Sequence, residues 1–162
     1  MILSIYTLIH VLIGLVGIFT GFVVLFAMLA GKRAEGWTAI FLSTTVATSL
    51  TGFFFPVHRF MASDAVGIVS LIVLGLAIYA RYPCHLKGGW RKVYVIGAMM
   101  ALYLNVFVGI VQAFEKIAPL TALAPTQTEA PFKMTQLVVL GIFVLLTIVA
   151  AIRFRDKSWS VP

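Results

Sequence analysis

The chain has 162 residues, 62% of them hydrophobic and 10% charged, with a formal net charge of +7. A soluble domain is roughly a quarter charged and about half apolar; a single aqueous core of this size cannot hide the excess, so the solvent is lipid. The basic residues fall in short clusters between apolar runs, a pattern of membrane topology that argues against a nucleic-acid partner, and the single cysteine, Cys84, excludes an intrachain disulfide.

The first apolar run, Met1 to Ala30, has no charged residue. It lacks a basic leader and is about twice the 7–15 residues of a signal-peptide core. Lys32 and Arg33 follow it, so the segment is expected to stay as an anchor with its N-terminus outside. Counting back from these charges places His10 near the outer boundary. Gly14, Gly17 and Gly21 share a face with His10, and Gly17 and Gly21 form a GxxxG. Small residues allow close helix approach where no hydrophobic force acts between helices, so this face is a candidate surface for other membrane subunits or self-association.

The second run, about residues 37–57, is unusually rich in hydroxyls. At helical spacing Thr44, Thr48, Thr51, Phe55 and His58 lie on one face, a hydroxyl stripe leading to an imidazole. Pro56 marks its end. The third run, about 64–82, is the shortest, and the basic connection RYPCHLKGGWRK follows. The fourth, about 92–115, carries Asn105 and Gln112 seven residues apart on one face. A loop over 115–133 contains Pro119, Pro125 and Pro131; its Ile117, Leu120 and Leu123 are expected to lie against the membrane surface. The fifth run covers about 133–153.

Alternating these runs across a bilayer puts nine of the twelve Lys and Arg on one side: Lys32, Arg33, Arg81, Lys87, Arg91, Lys92, Arg153, Arg155 and Lys157. The positive-inside asymmetry then predicts an odd number of crossings, N-terminus outside and C-terminus inside. Trp37, Trp90 and Trp159 all fall at the inner boundary, as interfacial aromatics do. The expected architecture is an all-α polytopic integral membrane protein. It is a five-transmembrane-helix bundle forming a single membrane domain over 1–162, in the inner (cytoplasmic) membrane.

This topology brings His10, His58 and Gln112 to a similar depth near the outer face, with Thr51 and Asn105 about two turns below at ~1.5 Å per residue. These five residues are the candidate binding set, lining a polar pocket near the outer face. A b-type haem would take His10 and His58 as its axial ligands, the metal site in that case alone. A quinone would use an imidazole or amide against a carbonyl, with Phe53 to Phe55 packing its ring. A small solute or a proton would follow the hydroxyl stripe, although no charged residue lies mid-span, where coupled pumps usually carry one.

Against these stands the commoner use of such groups. Ser and Thr bond to the carbonyl one turn back, and Asn and Gln bridge helices. That use fits a non-catalytic accessory or assembly subunit of a larger membrane complex, which is the principal expectation. Cys84-His85 is a lone pair where structural zinc needs about four ligands. The sequence contains no catalytic triad, paired carboxylate or phosphate loop.

Overall fold

A computed structural model describes residues 2–55 and 62–154. The described residues form six helices, α1 (Ile2–Leu29), α2 (Glu35–Gly52), α3 (Ala62–Arg81), α4 (Trp90–Lys116), α5 (Ala118–Leu123) and α6 (Ala130–Arg153). Four stretches are long and apolar enough to cross a membrane: Leu3–Leu29, Asp64–Arg81, Trp90–Lys116 and Ala130–Arg153. The protein is therefore an all-helical bundle with the character of a multi-pass membrane protein. The hydroxyl-rich α2 does not join these four on apolarity.

The helices pack as two antiparallel hairpins, α1 with α2 and α3 with α4, closed by α2 against α3 and α1 against α4. The sixth helix lies outside, against α4 and α1. The core runs through the middle of this arrangement: Val24, Leu25 and Met28 of α1, Phe41 and Leu42 of α2, Leu74 and Ala77 of α3, and Tyr94, Met99 and Leu102 of α4 are all buried.

Glycines set how closely α1 approaches its neighbours. A Cβ on Gly21 would lie 2.5 Å from Leu102 and 2.9 Å from the Phe41 ring. One on Gly17 would lie 3.3 Å from both Thr44 and Thr45, and one on Gly14 would lie 3.5 Å from Thr48. The glycine face of α1 is thus occupied inside the chain by α2 and α4.

The second helix ends earlier than residue 57. Its last helical residue is Gly52, and the Phe53 and Phe54 amides turn back onto Leu50 and Thr51. Glycine is a weak helix former, and Phe55 precedes a proline, which disfavours the helical conformation there. The loop after α4 contains the short helix α5, whose Ile117 and Leu123 flank remains exposed while Ala124 is buried.

The basic residues gather at one end of the bundle. The Arg81 guanidinium bonds Glu35 at 2.6 Å and the Arg33 carbonyl at 3.4 Å, joining the end of α3 to the start of α2. Arg91 bonds the Phe154 carbonyl beyond α6, satisfying a carbonyl that the helix end leaves open. Among the described residues this end holds seven basic side chains and one carboxylate, Glu35, whereas the other end holds two basic residues and three acids.

Candidate functional site

The end opposite the basic cluster carries the polar residues singled out from the sequence. Antiparallel packing of α1 on α2 sets His10 beside Thr51. His10 Nδ1 and Thr51 Oγ1 are 2.8 Å apart. Thr51 Oγ1 also lies 2.7 Å from the Ala47 carbonyl. Two oxygens that close need a proton between them, so the one hydroxyl proton is directed to Ala47. Thr51 must then accept from His10, which puts a proton on Nδ1; in the neutral imidazole the lone pair is therefore on Nε2.

Two aromatic residues build the rest of this corner. Tyr6, one helical turn before His10, donates its hydroxyl to the Thr51 carbonyl, using the second lone pair of an oxygen that also accepts from the Phe54 amide. Phe55 stands edge-on to both rings, 5.0 Å from Tyr6 and 5.1 Å from His10 between centroids. Phe55 is expected from the sequence as a packing residue, whereas Tyr6 is not among the residues singled out there. The signal was present, because Tyr6 extends the His10–Gly14–Gly17–Gly21 face by one turn.

Asn105 occupies a different level. Its amide donates to Thr45 Oγ1 at 3.1 Å, where α1, α2 and α4 meet against Gly17. Thr45 lies six residues before Thr51, ~9 Å along α2. Gln112 is exposed on α4. The structure therefore joins His10 to Thr51 and Asn105 to Thr45, and brings neither Asn105 nor Gln112 into hydrogen-bonding contact with His10. His58 lies outside the described residues.

The hydroxyl stripe is engaged almost wholly within the chain. Thr44 donates to the Ile40 carbonyl at 2.7 Å, and Thr48 to the Thr44 carbonyl at 2.9 Å. Ser49 meets Ser70 of α3 at 3.2 Å. A further polar tie, absent from the sequence reading, is Gln136: it is buried in α6 and donates to the Phe107 carbonyl at 3.3 Å. A lone glutamine in an otherwise apolar helix was its available signal. No group of three or more His, Cys, Asp or Glu among the described residues is arranged to hold a metal ion.

Comparison with family models, with curated proteins and with solved structures finds no significant match to this chain.

Proposed function

We propose that this chain is a five-span inner-membrane protein, N-terminus outside and C-terminus inside, acting as a non-catalytic accessory or assembly subunit of a larger membrane complex. The observation that carries this reading is the intrachain bonding of the intramembrane polar groups. The Thr44, Thr48 and Thr51 hydroxyls donate to backbone carbonyls of α2, while Asn105–Thr45 and Ser49–Ser70 tie helices together. Polar groups engaged this way hold a bundle in shape, and they leave no row of free hydroxyls to carry a solute or proton.

The second helix is the fifth span in this reading. Its 18 residues rise ~27 Å, close to the ~30 Å of hydrocarbon. Its low apolarity is offset because its hydroxyls donate internally and lipid meets few unsatisfied groups. The basic end then faces the cytoplasm. Since α2 and α4 fill the glycine face of α1, partner subunits would meet other surfaces of the bundle. Extraction in mild detergent followed by native electrophoresis and mass spectrometry tests the assignment: a defined larger assembly with companion subunits is expected, and a monomer alone contradicts it.

A second reading rests on His10. Its Nε2 lone pair suits an acceptor for the hydroxyl of a bound quinol or a ligand to haem iron. An absorption spectrum of the reduced protein and quinone extraction, each repeated on His10→Ala, decide this. A haem band or a co-purifying quinone lost in the variant supports the reading, and neither in the wild type ends it.

A further inference from the structure

A shallow groove of about 450 Å³ runs along the outside of the bundle between α2 and α3. Ala39, Ser43, Ala47 and Leu50 line it from α2, with Ile78 of α3 and Tyr82 just beyond the end of α3. Ala39, Ser43 and Ala47 are spaced by four, so they form one row whose short side chains keep the floor low. The Ser43 hydroxyl donates to the Ile40 carbonyl at 3.1 Å, leaving the lining essentially apolar.

The groove has the dimensions and charge setting of a lipid site. From Ala39 to Leu50 the helix rises ~16 Å, about half of the ~30 Å hydrocarbon and therefore the depth of one leaflet. Its Tyr82 end adjoins Arg81, whose guanidinium lies 5.9 Å from the Tyr82 ring centre. This is the basic end of the bundle, where Lys32, Arg33, Lys87 and Lys92 are exposed.

We propose that the groove holds an acyl chain of an anionic phospholipid from the leaflet at the basic end, with the headgroup phosphate among these cations. This goes beyond the accessory role and rests only on the five-span part of that reading, which sets α2 within the bilayer. Charge complementarity selects the occupant. A second copy in the same membrane orientation would bring its own basic end against this one, like charge against like. An anionic headgroup instead gains ~1 kcal/mol per nearby Lys or Arg.

The test uses the full chain in vesicles of equimolar phosphatidylglycerol and phosphatidylcholine with identical acyl chains, followed by detergent release and native mass spectrometry of retained lipid. The wild type is expected to retain phosphatidylglycerol over phosphatidylcholine by roughly fivefold or more, the equivalent of one such charge contact. Ala47→Leu and, at the other end of the groove, Ala39→Leu each fill the floor and are expected to abolish retention, with circular dichroism showing which variant remains folded. Ser43→Ala is expected to retain the lipid, and the pair Lys32→Gln with Lys87→Gln to lose the preference. Equal retention of the two lipids by the wild type overturns the proposal, as does undiminished retention in the folded Leu variants. A wild-type dimer dispersed by Ala47→Leu would assign the groove to a second copy instead.

Discussion

The second and sixth helices invert the expected relation between composition and burial. The second is rich in Ser and Thr, yet it buries Thr38, Phe41, Leu42, Thr45 and Ser49 between α1, α3 and α4. The sixth is strongly apolar, yet only Gln136, Phe143 and Ala150 are buried along its 24 residues. In water the more apolar helix would be the inner one; in a bilayer the order reverses. Lipid rewards an apolar surface, while the enclosed helix is free to carry polar groups if its neighbours and its own carbonyls satisfy them. In the five-span arrangement proposed above, apolarity alone undercounts the spans, because it scores the enclosed helix by the environment of the exposed one.

Substitutions on the two sides of this contrast have opposite expected consequences. The largest effect is expected from bulk on the enclosed side. Gly21→Leu drives a side chain into Leu102 and Phe41 and is expected to destabilise the bundle by roughly 1–3 kcal/mol, the range for overpacking. Gly141→Leu, which has open space around it in α6, is expected to leave stability nearly unchanged. Denaturation in mixed micelles measures both, and equal effects would erase the contrast.

The ion pair at the basic end comes next. The Arg81 side chain is 3% exposed and that of Glu35 is 66% exposed, so the two halves are not equivalent. Glu35→Ala leaves a buried cation without its carboxylate and is expected to cost up to ~3 kcal/mol, the lower part of the range for a broken buried pair. Arg81→Met leaves only a solvated carboxylate and is expected to cost less, a ranking checked by the same denaturation curves. The Tyr94 ring, 5.0 Å from the guanidinium, lends Arg81 part of its stabilisation in either case.

Removing an interhelical hydrogen bond should matter less. Asn105→Leu or Thr45→Val is expected to cost about 0.6 kcal/mol, the average for such bonds in membrane bundles. Thr147→Val on α6, whose hydroxyl bonds only the Phe143 carbonyl of its own helix, is expected to cost still less.

The smallest expected effect lies at the loop before α6. Desolvation is the largest single influence on Glu129 and raises its pKa, but the hydrogen bonds from Thr126, Thr128 and its own amide together outweigh it and hold the carboxyl below its ordinary range. Because the folded pKa is depressed, this contribution is present above the ordinary Glu pKa and lost as pH falls through the lowered value. Hydrogen exchange at the Thr126 and Thr128 amides, corrected for intrinsic rates, should show protection falling across that acidic window. Protection insensitive to pH there would remove Glu129 as the loop's anchor.

The sequence made the helices legible because each apolar run is bounded by charge or by Gly and Pro. Counting depth from Lys32 and Arg33 sets Thr51 and Asn105 about two turns below His10; the structure instead bonds Thr51 directly to His10. Depth alone does not determine helix crossing or rotation: Asn105 does lie about two turns below His10, beside Gly17, but its partner there is Thr45 and not Thr51. The glycine face was visible as a pattern, but a pattern on one helix cannot say whether the neighbour belongs to the same chain. Arg81 was counted only as topology, since its partner Glu35 is 46 residues away and no local spacing connects them.

The proposed five-span arrangement requires α2 to cross the membrane as an enclosed helix, so that the loops at its two ends lie on opposite sides. In a Cys84→Ser background, Gly36→Cys and Phe54→Cys place single thiols at exposed positions near these ends. Labelling of intact spheroplasts with a membrane-impermeant maleimide is predicted to modify the thiol at position 54 at once and the thiol at 36 only after permeabilisation. Labelling of both from the same side would contradict the five-span arrangement.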